Sequence, residues 1–309
     1  MQVDRFNAQL WDVYAKRPKS WFDAQGGQLK RHTGGFAGGD LIPSFVATLE
    51  FGKVSTNRWG MRDQDYELKP APGTFRVAVL GASSVMGWGV GDGETFEALV
   101  EARLNRERAG APFPRYESLN FGIQGYQPPQ LLVAHEKALT FSPHAVFYVA
   151  TGREISRAAQ SLVEIVQKRI EIPYPDLKEI VAKAGLAAGM DEATALRRLE
   201  PYRADLLSAV YRRIVATSQA RGIVPVWIFL PQVREGSWQE ETPETLRLAE
   251  GAGFIIVNLS DVFKGEDVTA IRLAEWDQHP NARAHRLIAA QLYESLLAKS
   301  DVVFKASVR

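Results

Sequence analysis

The sequence predicts an α/β fold, a three-layer α/β/α sandwich around a parallel, flavodoxin-like sheet of about five strands. Three observations carry this. From residue 75 onward, short apolar runs alternate with amphipathic stretches of helical length. The runs lack polar alternation, as strands buried on both faces do. The first two end in glycine-bearing turns, the usual exit from a strand toward a covering helix.

The elements follow in order. Residues 1–74 read as an irregular N-terminal extension packing on the main domain, which spans 75–309. Within it, TGGFAGGD (33–40) is a loop and SFVATLEFGKVSTN (44–57) alternates enough for one or two strands. FRVAVLG is the first strand of the main domain and GETFEALVEARLNRE its helix; RYESLNFG is the second strand. PPQLLVAHEKALTF is a helix with prolines at its start, where the missing N–H costs nothing. HAVFYVAT, GIVPVWIFL and GFIIVNLS complete the strands, and NARAHRLIAAQLYESLLAK is the last helix. About 70 residues separate the third and fourth strands, far more than one crossover helix needs. They read as a helical insertion, with a cap beside the site at about 155–205.

Composition narrows the function classes. The chain has 309 residues, 46% hydrophobic and 24% charged, with a net charge of +1, so no global field recruits nucleic acid or an anionic membrane. It has no cysteine, which excludes disulfides, thiolate catalysis and zinc–thiolate sites. No ligand cluster suggests a metal, and no cofactor is expected. No run approaches the roughly 20 apolar residues of a membrane helix. The first residues lack an apolar signal core, so the protein is cytosolic or a leader or anchor lies outside this chain.

In an open parallel sheet, ligands bind beyond the carboxyl ends of the strands. After the first strand stand Ser83 and Ser84; after the second, NFGIQG (120–125); after the third, TGRE (151–154); and EWDQHPNARAH precedes the last helix. Each block alone reads as a cap or a turn. Together they supply a hydroxyl, a base and an acid. A serine hydroxyl is a poor nucleophile until a base takes its proton. His279 is such a base, and Asp277 can fix its tautomer. The backbone N–H groups of Ser83 and Gly125 are available to a developing oxyanion.

These blocks resemble the SGNH (GDSL-like) hydrolase superfamily: Gly81-Ala82-Ser83, Asn120 to Gly125, and Asp277, His279, Pro280 and Asn281, over residues 75 to 298. The resemblance implies an ester hydrolase working through an acyl-serine, with Ser83 as nucleophile and Ser84 as the helix cap. Two positions depart from the pattern. Ala82 stands where the family has Asp. The Asn that completes the family's oxyanion hole is absent, and Arg153 takes its place. Three outcomes stay open: Arg153 donates to the oxyanion or anchors an anionic substrate; Arg153 and Glu154 form a structural ion pair; or the site binds and turns over slowly. Trp88 and Trp276 flank the catalytic blocks and, with Arg153 and Glu154, are candidate substrate contacts. Trp59 and Trp227 read as core or pocket wall. His32, His135 and His144 have no partner motif, and His285 reads as a surface or packing residue.

By the same resemblance the partner is a small-molecule or carbohydrate ester, with O-acetyl groups first. An O-acetyltransferase of this fold and a non-catalytic ligand-binding protein are the alternatives. The resemblance also leans toward an extracytoplasmic setting.

Overall fold

The computed structural model describes residues 28–305 except 109, 111 and 238–241; residues 1–27 of the expected extension lie outside the described residues. Four short strands lead: β1 (Lys30–His32) pairs with β2 (Gly39–Leu41), and β3 (Val46–Leu49) with β4 (Gly52–Ser55), both antiparallel. Then come β5 (Thr74–Gly81), the short α1 (Ser83–Met86), α2 (Phe96–Glu107), β6 (Arg115–Gly122), α3 (Pro128–Leu139) and β7 (Ala145–Ala150). The long connection holds α4 (Glu154–Gln167), α5 (Pro175–Lys183), α6 (Glu192–Leu199) and α7 (Arg203–Gln219). The remainder is β8 (Val224–Phe229), α8 (Thr242–Ala252), β9 (Ile255–Asn258), α9 (Val268–Ile271), β10 (Arg272–Ala274), β11 (Asp277–Pro280), α10 (Ala282–Leu297) and α11 (Ser300–Val303).

The central sheet is parallel and five-stranded, in the order β6-β5-β7-β8-β9. This is the flavodoxin-like order, and it places the topological switch between β5 and β7. Successive strand residues face opposite layers. Ala78, Leu80, Val146, Tyr148, Trp227 and Phe229 enter one core, against α3, α4 and α7. Val77, Val79, Phe147, Val149, Val226 and Ile228 enter the other, against α2 and α10. Each large side chain removed from water contributes roughly 1.5–3 kcal/mol.

Leu41, Leu49, Val54, Met61 and Tyr66 share a core with the sheet. The leading segment is thus built into the domain at residues 41–66. Of the long connection, α4 lies on α3 and α7, and α5 on α7. Only the start of this region reaches the cleft described below, through Thr151, Arg157 and Gln160.

Candidate active site

β5 ends at Gly81 and the chain turns directly into α1. Ala82 holds the N-cap position with no side-chain cap, and its carbonyl accepts from the Val85 and Met86 N–H groups at 3.1 and 3.0 Å. Ser84 is therefore inside the helix and does not cap it, contrary to the sequence expectation. The strand runs so close to the helix that Ser83 itself is the first helical residue. Among the described residues the Ser83 N–H has no acceptor.

This turn is held by buried polar groups. Asn120 is fully buried; its amide donates to Val85 O (2.7 Å) and Glu97 Oε1 (2.6 Å) and accepts from Gly122 N (2.8 Å). A Cβ on Gly122 would lie 2.2 Å from Met86 N, so only glycine lets the helix seat on β6. From the leading segment, Arg62 is buried and donates to the carbonyls of Met86, Gly87 and Val90. Burial pushes its pKa down to about 10, which leaves it charged at neutral pH. Asp63 accepts from Asn120 N at 2.9 Å, and burial holds its carboxyl well above the ordinary range. His285 is a core residue: its Nδ1 accepts from Phe96 N at 3.0 Å, and burial pushes it down to about 3. His135 is likewise buried, 2.9 Å from Ser218 Oγ.

Gly125 carries a left-handed φ of 82°, and its N–H too lacks an acceptor among the described residues. Lys30 on β1 steadies this loop, donating from Nζ to Gln124 O at 2.5 Å. Asp277 and His279 sit on β11 of a two-stranded hairpin. Two residues apart on a strand, they share a face. Asp277 Oδ1 bonds His279 Nδ1 and accepts from His279 N at 3.0 Å. His279 Nε2 lies 2.6 Å from Ser83 Oγ. With the Nδ1 proton directed to Asp277, Nε2 accepts from the Ser83 hydroxyl. Asn281 fixes the hairpin: it caps α10 through Arg283 N (3.0 Å) and Ala284 N (3.2 Å) and donates to Ala270 O (3.0 Å).

Around Ser83 and His279 lies a cleft of about 430 Å³. Trp88 reaches its floor but is 3% exposed, and its indole N–H donates to Asp277 Oδ2 at 3.4 Å. It holds the acid rather than offering a broad face to a ligand. Trp276 is 36% exposed and lines the cleft. Arg153 and Glu154 do not line it. Arg153 is exposed with φ 70°, at the left-handed step between β7 and α4. Glu154 is buried; it accepts from Tyr148 Oη at 2.6 Å and from Thr151 N at 3.3 Å, and forms no ion pair with Arg153. The cation in the cleft is Arg157, one helical turn beyond Arg153 and unremarked in the sequence reading, together with the amides of Gln124, Gln127, Gln160 and Gln232. The spacing i, i+4 from Arg153 was the available signal. Among the described residues no group of acids and histidines could hold a metal, and no helix is long and apolar enough to cross a membrane.

Burial pushes the Glu154 carboxyl up to about 7 from its ordinary 4.5. The folded protein keeps this proton through a pH range in which the unfolded chain has lost it. Stability therefore falls as pH rises from about 4.5 to 7. Glu154→Gln is expected to flatten that fall by up to about 3 kcal/mol. Glu101, also pushed up to about 7 by burial, leaves a residual slope. Urea denaturation at pH 5 and pH 8 checks this; parallel curves for wild type and variant would refute it.

The fold and these contacts define a parallel α/β sandwich with a Ser–His–Asp arrangement at its carboxyl edge. No protein-family model and no curated protein matches the chain. Solved structures do match. Axe2, an acetylxylan esterase from Geobacillus stearothermophilus, is 15% identical over 72% of this chain and 94% of its own, with a TM-score of 0.46. The esterase EstA from Pseudoalteromonas sp. is 14% identical over 73% and 98%, with a TM-score of 0.46. A G-D-S-L family protein from Desulfitobacterium hafniense DCB-2 is 11% identical over 72% and 99%, with a TM-score of 0.43. Identities this low and scores below 0.5 say nothing about what this chain acts on.

Proposed function

We propose that the chain is a serine ester hydrolase of the SGNH type. The observation that carries the reading is the 2.6 Å approach of His279 Nε2 to Ser83 Oγ, with Asp277 on the far side of the ring. Ser83 Oγ attacks the ester carbonyl carbon while its proton passes to His279 Nε2. Asp277 keeps the imidazole in register and stabilises the imidazolium. The tetrahedral oxyanion lies on the N–H groups of Ser83 and Gly125. Collapse expels the alcohol, which takes the proton from His279. Water then attacks the acyl-serine, with His279 as base and then as acid. Gln124, Gln127, Gln160 and Gln232 with Trp276 suit an ester of a hydroxyl-rich molecule, O-acetyl carbohydrate first.

Labelling with a fluorophosphonate and turnover of p-nitrophenyl acetate test this. Ser83→Ala is expected to lose the label and to lower kcat by about 10⁴-fold or more, with the fold intact by circular dichroism. A wild-type protein that neither labels nor hydrolyses any short ester sinks the reading.

A further inference from the structure

Arg157 stands out in the cleft. It is the fourth residue of α4, a helix of 14 residues, so it places a cation against the positive end of that helix. It forms no ion pair among the described residues; Nη1 donates to Thr151 Oγ1 at 2.9 Å, which fixes the guanidinium. The nearby Glu154 carboxyl, which burial holds toward its protonated form, is committed to Tyr148 and the Thr151 N–H. The other charged groups lining the cleft, Asp277 and His279, bond one another. Lys30, the next cation, spends its ammonium on Gln124 O. A half-buried, oriented cation that faces neutral amides, with no carboxylate within ion-pair distance among the described residues and only a through-space attraction to Glu154, is a costly arrangement for the free protein. An anion entering the cleft relieves it, and a guanidinium fork favours a planar carboxylate.

We infer that the substrate is an ester carrying a carboxylate, and that Arg157 recognises that group. This rests on the hydrolase reading above. Arg157 is a specificity-determining residue here and takes no part in bond making. The carboxylate lies on the alcohol side or on the acyl side of the ester, and two matched pairs separate these: 4-acetoxybenzoate with 4-acetoxybenzamide, and the p-nitrophenyl monoester of glutaric acid with p-nitrophenyl butyrate.

In at least one pair, wild type is expected to favour the anion in kcat/KM by about 10- to 100-fold, and Arg157→Gln to collapse that ratio toward one. Arg157→Lys, a point charge without the fork, should retain part of it. Equal handling of both pairs by wild type, or a preference that survives Arg157→Gln, overturns the inference. So does a fall in kcat by the same factor on all four esters, which would make Arg157 a donor to the reacting oxygen. Calorimetry of the same esters with Ser83→Ala reads the selectivity without turnover. If wild type turns over no ester, the hydrolase reading fails by itself, and the binding ratio with and without Arg157→Gln still decides this one.

Discussion

Asp277→Asn is expected to lower kcat by about 10⁴-fold while the protein stays folded. The reason lies in the count of acceptors. Both carboxylate oxygens of Asp277 accept: Oδ2 from the Trp88 indole, Oδ1 from His279 N and the imidazole. An asparagine offers one oxygen. If that oxygen faces His279, the amide NH2 opposes the Trp88 donor. If the amide flips to satisfy Trp88, its NH2 donates to Nδ1, and the ring proton moves to Nε2. His279 can then no longer accept from Ser83. Steady-state kinetics with p-nitrophenyl acetate, alongside a melting curve, separates this outcome from unfolding; a variant within tenfold of wild type would remove Asp277 from the proposed mechanism.

The largest stability effect is expected at Arg62. Arg62→Met keeps the length of the side chain and removes its donors, leaving the carbonyls of Met86, Gly87 and Val90 buried without them. Glu97, buried nearby, and Asp92, 3.8 Å from Arg62 Nε, lose the opposite charge as well. The expected cost is about 3–5 kcal/mol, which lowers the thermal midpoint by on the order of 10 °C. The exposed pair Arg58–Glu67, broken by Glu67→Gln, serves as the contrast and is expected to leave the midpoint nearly unmoved. Scanning calorimetry of both variants checks the difference, and equal midpoints would show that the Arg62 layer does not hold the turn.

Sequence pattern and structure differ where side-chain direction decides. Strand order and the meeting of Ser83 with His279 were legible, because apolar runs and their following turns encode a parallel sheet and its carboxyl edge. Arg153 was misplaced because counting along a turn ignores where the helix axis points. β7 stops at Ala150 and α4 starts at Glu154, so residue 153 takes the left-handed step and faces outward. The cleft falls to the residue one turn later. Glu154, read as a substrate contact or an ion-pair partner of Arg153, is instead satisfied in the interior by Tyr148 and the Thr151 N–H. Arg62 and Asp63 sit in a turn-rich, charged stretch, and charge alone gives no sign of burial. Arg62 depends on carbonyls contributed by residues 86–90 and Asp63 on the Asn120 N–H, partners that only the folded chain brings near.

Ser83 belongs to the first strand-to-helix turn of the sheet, and His279 to a hairpin 196 residues later. Between them lie the other four strands of the sheet, β6 to β9. During synthesis the Ser83 turn is made long before His279 exists. A partly made chain therefore carries an inert serine, and ester-cleaving power would arrive in one step, when the closing segment docks.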